Sequence, residues 1–147
     1  MRLGFFATLL LASITFTANA QTRFLTTPAD LRKAADGMAA SIGTGNYNAA
    51  WKQMKPYSVV PPVEFDAFVA QFQSQLPTLL PRYGKAIGSE FVREDKAGES
   101  LLKLTYLAKH EKSAMRWLLV FYRGEKGWVL SDFKFDGNLN ALFPGQG

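Results

Sequence analysis

The chain has 147 residues, a formal net charge of +5 and no cysteine. This length supports one domain with one hydrophobic core, and an apolar share of 48 % is enough to build that core. The missing cysteines exclude disulfide bonds, and with a single histidine they also exclude a His/Cys zinc site. The basic residues are scattered along the chain, so the charge pattern argues against a nucleic-acid partner.

The first 20 residues have the pattern of a secretory signal peptide. Arg2 gives the positive start, a largely apolar stretch follows to Phe16, and small residues occupy the two positions that a signal peptidase reads. We therefore expect cleavage between Ala20 and Gln21 and a periplasmic or secreted protein. The mature chain is expected to have no transmembrane anchor.

Three helices are predicted after this segment. The first begins at Pro28 with Thr27 as its N-cap, because a threonine hydroxyl can accept a hydrogen bond from a free amide of the first turn. Asn46 begins a short second helix. The third helix starts at Pro62 and is predicted to end at Pro77, since proline interrupts the helical hydrogen bonds.

Four antiparallel strands are predicted in the second half of the chain. Turns at Lys112-Ser113 and at Glu125-Lys126-Gly127 join the last three strands, and the second turn pairs Phe121 with Ser131. No turn fixes the first strand, so its register around Glu90 is left open. The turns place one alternating set of apolar residues on an inner face that the helices should cover: Leu102, Leu104, Tyr106, Ala108, Met115, Trp117, Leu119, Phe121, Val129, Phe133 and Phe135.

This order of elements predicts an α+β fold. The N-terminal helices should pack on one face of a curved, antiparallel four-stranded sheet, in a cone-like roll. A single domain is expected over residues 21–147, with an ordered core at about 27–136 and a tail at 137–147.

The opening helix, the Gly-Asn-Tyr-x-x-Ala-Trp entry to the second helix at residues 45–51 and the closing strand Gly-Trp-Val-Leu at residues 127–130 resemble the nuclear transport factor 2-like superfamily. The likeness is greatest to its small exported members of uncharacterised function. The resemblance implies a cystatin-like α+β cone, and in the enzymes of the superfamily a carboxylate works inside that cone. The strand pair that members often carry between the second and third helices is reduced to residues 56–60, so we expect a shallower cone.

No catalytic residue, metal site or cofactor is predicted. No enzyme motif of the superfamily can be matched to this chain, and Asp132 falls on the outer face of the sheet in the predicted register. Asp36 and Asp66 lie opposite or beside the apolar stripes of their helices, where solvent should reach them. His110 lies at a hairpin end and is expected to be a solvated turn residue.

Four aromatic residues are the predicted ligand-binding residues: Trp51, Tyr57, Tyr83 and Tyr106. Their polar tips could face a ligand at the mouth of the cone, or they could be ordinary core side chains. The main hypothesis is an exported, non-catalytic module that binds a small apolar ligand or an envelope protein. The alternative is a small acid–base enzyme, an isomerase, cyclase or hydratase, that uses a carboxylate in the cone.

The outer face of the sheet is predicted to be an interface. It mixes charged side chains with an apolar group, and soluble monomers seldom leave such a patch uncovered. Because members of the resembled superfamily often pair through their sheets, we expect a homodimer through this face. Its predicted interface residues are Leu118, Val120, Tyr122 and Leu130.

Overall fold

The computed structural model describes residues 21–145, so the predicted signal peptide and its last residue, Ala20, lie outside the described residues. Within that range the chain forms an open α+β structure, as predicted from the order of elements. The helices are α1 (Pro28–Gly43), α2 (Tyr47–Met54) and α3 (Pro62–Tyr83). The antiparallel sheet has the order β1 (Ala86–Ala97), β2 (Leu101–His110), β3 (Ala114–Gly124) and β4 (Gly127–Asp136). Two 3-10 turns, Lys55–Tyr57 and Leu139–Leu142, complete it.

The start of α1 confirms the predicted cap at Thr27, and α2 begins directly after Asn46. The Thr27 hydroxyl accepts a hydrogen bond from the Asp30 amide at 3.1 Å, and the Asp30 carboxylate accepts one from the Thr27 amide at 3.2 Å. This reciprocal capping box satisfies two amides that have no partner inside the helix. At α2, the Asn46 side-chain oxygen accepts from the Ala49 amide at 3.2 Å.

The prediction that α3 ends at Pro77 is wrong, because the helix continues to Tyr83 and contains both Pro77 and Pro81. Each proline removes one amide–carbonyl hydrogen bond, and both lie on the exposed side of the helix. Leu79 and Tyr83 pack against the core between and beyond them. The burial of these side chains offsets the missing hydrogen bonds.

The turn between β2 and β3 lies one residue earlier than predicted. Its two loop residues are Glu111 and Lys112, and the His110 amide donates to the Ser113 carbonyl oxygen at 2.9 Å. A turn moved by one residue shifts the strand pairing by two. Because side chains alternate with a period of two, the predicted inner face is retained across β2 and β3.

The turn between β3 and β4 has two loop residues, Glu125 and Lys126, where three were predicted. Gly124 pairs directly with Gly127, whose φ of +125° is a value that glycine adopts without strain. The pairing next to this turn therefore differs by one residue from the predicted register.

A bulge at Ser131 restores the predicted register farther along β4. Phe121 lies opposite Leu130 and not opposite Ser131, so the predicted Phe121–Ser131 pair is wrong. Leu130 consequently faces the core, while Val129 lies opposite Tyr122 on the outer face. Beyond the bulge two predicted pairs are confirmed, Leu119 with Phe133 and Trp117 with Phe135.

The register of the first strand, left open by the sequence, is set by its pairing with β2. The strand continues to Ala97 and carries two irregularities in that pairing. Glu90 lies opposite Leu107, which places this carboxylate on the outer face, and it is exposed.

Two short segments pair with the free edge of β4. Leu25 and Trp128 exchange two backbone hydrogen bonds, at 2.9 and 2.8 Å. After the 3-10 turn, Ser58 forms a parallel bridge with Leu130, and the Val59 amide donates to the Leu130 carbonyl oxygen at 3.1 Å. These segments cover the first half of an edge that would otherwise be open to other strands.

Candidate functional site

The space between α2, α3 and the sheet is filled by aromatic rings. Trp117 stacks on Phe135 with ring centroids 4.9 Å apart, and Trp51 lies 5.6 Å from Trp117. Other rings complete this aromatic cluster at comparable separations: Phe65, Phe68, Phe72 and Phe133. The indole N–H groups of both tryptophans are buried without a hydrogen-bond partner among residues 21–145. The interior of the roll is therefore a packed core at the place where a ligand pocket was expected.

The four predicted ligand-binding residues have different surroundings and are not gathered around one cavity. Trp51 is buried in the aromatic cluster. Tyr83 is buried against His110, and the hydroxyl of Tyr106 donates to the Asp36 carboxylate at 2.7 Å. Tyr57 lines an open surface cleft with residues of α1 and the N-terminal segment, and the buried Trp51 borders a different cleft, between α2 and α3.

A polar cluster joins α1 to the sheet at Tyr106. Asp36 accepts hydrogen bonds from the Tyr106 hydroxyl and, at 2.9 Å, from the Arg32 guanidinium, which lies 3.4 Å from the centre of the Phe91 ring. Burial, together with the hydrogen bond to Asp36, raises the pKa of Tyr106. A tyrosine held in its protonated form donates a hydrogen bond and does not serve as a base. Asp36 is half exposed, as its position on α1 suggested, but these two hydrogen bonds were not predicted.

The prediction that His110 is a solvated turn residue is wrong, since it is only 5 % exposed. One ring nitrogen, Nδ1, lies 3.1 Å from the Ala108 carbonyl oxygen, and Nε2 lies 3.4 Å from the Tyr47 hydroxyl. Because a carbonyl oxygen only accepts, we assign a proton to Nδ1; in the neutral ring Nε2 then accepts from the Tyr47 hydroxyl. Burial raises the pKa of Tyr47. In these contacts the histidine has a carbonyl and a phenol as partners, unlike a catalytic histidine oriented by a carboxylate.

The carboxylates of the described residues all lie outside the core. Asp132 is exposed and lies opposite Val120, which confirms its place on the outer face. Asp66 forms an ion pair with Lys55 at 2.6 Å on the helical side. In residues 21–145 no group of three or more His, Asp or Glu side chains is arranged to hold a metal ion.

Clefts open between the N-terminal segment, α1, α2 and the following 3-10 turn. One, of about 480 Å³, is lined by Tyr57 with Phe24, Asp30 and Lys33 among others. A second, of about 420 Å³, has three cations in its wall and no carboxylate, and we call it the cationic cleft. Its residues are Gln21, Thr22, Arg23, Lys52, Lys55, Pro56, Ser58, Val60 and Pro62.

The outer face of the sheet carries fewer exposed apolar side chains than predicted. Leu118 and Val120 are partly buried, and Tyr122 is 47 % exposed. Leu130 was assigned to this face, but that assignment is wrong: the bulge at Ser131 turns it inward, where it is fully buried.

Ion pairs and the C-terminal tail occupy much of this face. Arg116 donates two hydrogen bonds to Asp136, at 3.0 and 2.7 Å, and this guanidinium lowers the pKa of Asp136. The 3-10 turn of the tail packs on β3. Arg93 holds the end of that turn by donating to the Leu142 carbonyl oxygen at 3.1 Å.

None of the helices in the described part of the chain is both long enough and apolar enough to span a membrane. Comparison of the chain with protein-family models, with curated protein sequences and with solved structures gave no match. Membership of the nuclear transport factor 2-like superfamily therefore stays a prediction from the residues that carry the resemblance.

Proposed function

We propose that this protein is an exported, non-catalytic module of the nuclear transport factor 2-like type, which acts by binding a protein partner through its surface. The observation that carries this proposal is the aromatic cluster. Trp51, Phe72 and Trp117 are at most 3 % exposed and fill the space between the helices and the sheet, where the resemblance implies a cavity. A small apolar ligand would have to displace these rings.

The position of the carboxylates supports the non-catalytic part of the proposal. An acid–base enzyme of this type needs a carboxylate whose pKa is raised by apolar walls. Among the described residues the buried polar side chains are Ser58, Thr105 and His110, and no carboxylate is among them. The alternative enzymatic function therefore has no buried carboxylate among the described residues to act as its base.

A second copy of the chain is the partner that we propose first. On the outer face, Leu101, Tyr122 and Val129 are cross-strand neighbours in one row, and Val120 lies on the same face one position along. Leu101 and Tyr122 are 41 % and 47 % exposed, whereas Val129 is only 6 % exposed. The C-terminal tail packs on β3 away from this row. Arg93, which holds the end of the tail, pairs with Thr105, and Thr105 is nearer the middle of the sheet than Leu101 is. A two-fold contact centred on Val120 and Tyr122 would use this row twice, with Leu118 at its border.

Sedimentation at micromolar concentration tests the dimer. The wild-type protein is expected to have the mass of a dimer, and Val120→Glu is expected to be monomeric because a charge would be buried in the contact. Val63→Glu is the matched control, since Val63 is 81 % exposed on α3 and should leave the dimer intact. A monomeric wild type, or a Val120→Glu variant that stays dimeric, contradicts the proposed interface.

Native mass spectrometry of the purified protein tests the filled interior separately. The expected spectrum contains only protein masses and their multiples. A small molecule retained in a one-to-one ratio, and lost on substitution of Trp117, would contradict a surface-binding module and favour an interior site.

A further inference from the structure

The cationic cleft lies beside an exposed apolar loop, and we propose that the two together dock the protein on a membrane surface rich in anionic phospholipid. This goes beyond the proposed function and does not depend on the dimer, whose residues lie on the outer face of the sheet. Three observations carry it: uncompensated charge in the cleft, exposed apolar side chains next to it and a backbone that holds both in place.

The charge in the cleft is only partly neutralised. Lys52 and Lys55 are three positions apart, which puts them on the same side of the chain as it leaves α2. Arg23 reaches the same cleft from the N-terminal segment. Lys55 pairs with Asp66, whereas Arg23 and Lys52 form no ion pair with any described residue. Converging cations without a lining acid favour an anionic ligand such as a phosphodiester.

The loop of residues 59–61 and the first turn of α3, which begins at Pro62, supply the apolar part. Val59 is 49 % exposed and Val63 is 81 % exposed, and both adjoin residues that line the cleft. Pro61 and Pro62 between them are exposed as well. Aliphatic side chains beside cations are the composition of surfaces that sit at the boundary of headgroups and acyl chains. An acidic protein would use the charges but would leave these valines in water.

The backbone around the cleft is held in place. The Arg23 amide donates to the Pro56 carbonyl oxygen at 2.6 Å, which ties the N-terminal segment to the 3-10 turn. The Ser58 hydroxyl accepts from the Val60 amide at 3.1 Å. A surface that is already ordered loses little conformational entropy on binding. The cleft volume of about 420 Å³ is in the range of a small-ligand site, which suits a single phospholipid headgroup.

Sedimentation with vesicles tests the charge requirement. The purified chain is expected to bind vesicles of phosphatidylglycerol and phosphatidylcholine, but not vesicles of phosphatidylcholine alone, and salt should weaken the binding. Arg23→Gln with Lys52→Gln should reduce the partition coefficient by roughly 25-fold, from about fivefold for each cation. The control, Lys85→Gln with Lys112→Gln, removes the same net charge elsewhere and should cost much less. No binding by the wild type, or equal losses in the two variants, overturns the proposal.

A second pair of variants distinguishes a lipid surface from a free phosphate ester. Val59→Ser with Val63→Ser should weaken vesicle binding. Ile87→Ser should not, because it changes an exposed apolar side chain on β1, outside the proposed docking surface. Glycerol 3-phosphate at millimolar concentration is expected to compete only weakly. Complete competition together with unchanged binding of the valine variant would assign the cleft to a soluble phosphate ester and overturn membrane docking. Circular dichroism checks that each variant is folded.

Discussion

Trp117→Ala is the substitution that tests the aromatic cluster most directly. The side chain is 1 % exposed, and its ring lies 4.9 Å from Phe135, 5.6 Å from Trp51 and 6.2 Å from Phe72. Removing a buried tryptophan costs about 3–5 kcal/mol, from lost transfer free energy and from the cavity left behind. The neighbouring rings belong to three different elements and cannot all close the gap, so we expect a loss of unfolding free energy of about 4–5 kcal/mol. This is a large part of the roughly 5–15 kcal/mol that stabilises a typical domain.

Urea denaturation followed by circular dichroism measures this loss, and Trp117→Phe is the matched comparison. Phenylalanine keeps a ring in the cluster and removes a buried N–H that has no partner in the described part of the chain, a group whose burial costs about 1–3 kcal/mol. It should therefore cost much less than alanine, roughly 1–2 kcal/mol. A loss below about 1 kcal/mol for Trp117→Ala would mean that the interior is not closely packed around this ring. Equal losses for phenylalanine and alanine would mean that the indole N–H has a partner.

Three further predictions concern local structure. Gly43→Ala should cost about 1–3 kcal/mol, because a Cβ at this position would lie 2.5 Å from the Gly88 backbone. Gly37→Ala should be near neutral or stabilising, because its Cβ would meet only a flexible side chain. Equal losses of unfolding free energy, measured in urea, would contradict this difference. Asp136 has a lowered pKa in the folded state, so the stability that its carboxylate contributes is present above about pH 4 and is lost as the pH falls through the folded pKa. In urea titrations from pH 6 to pH 3, Asp136→Asn should therefore lose less stability than the wild type. The same pH dependence of unfolding free energy in both proteins would contradict this. Thr27→Ala should cost about 1 kcal/mol and Thr27→Gly only a few tenths, measured by thermal unfolding. No loss of stability for Thr27→Ala would show that the capping hydroxyl does not stabilise α1.

Local signals in the sequence predicted where helices begin, but not where α3 ends. A cap depends on a few neighbouring residues, so Thr27 and Asn46 could be identified from their own surroundings. The continuation of α3 through Pro77 depends on the packing of Leu79 and Tyr83 against distant elements. Propensity alone could not weigh that burial against the missing hydrogen bonds.

The sheet shows the same division between local and distant causes. Alternation fixed the inner face of β2 and β3 even though the turn was misplaced, since a shift of two residues leaves every side chain on its face. The bulge at Ser131 has no signal of its own in the sequence, and it exchanged the faces of Val129 and Leu130. One of the four predicted interface residues was lost through this single extra residue.

The polar contacts of the interior were the least predictable part of the candidate site. The partner of His110 is Tyr47, which lies 63 residues earlier in the chain, and the partner of Tyr106 lies on α1. A tyrosine or histidine in an apolar strand indicates that its polar atom needs a partner, but not which one. The cationic cleft was missed for a similar reason, since Arg23, Lys52 and Lys55 belong to segments that only the fold brings together.

The bridge between Leu25 and Trp128 constrains the order in which the parts of the fold can form. These residues stand near opposite ends of the described chain, so a polypeptide that emerges with its N-terminus first has no partner for Leu25 until β4 has emerged. Closing so long a loop is entropically costly and slow compared with helix formation. For a chain exported as proposed above, the residues next to the leader would remain extended and unpaired during transfer. In such a chain the segment around Leu25 docks only after β4 has formed.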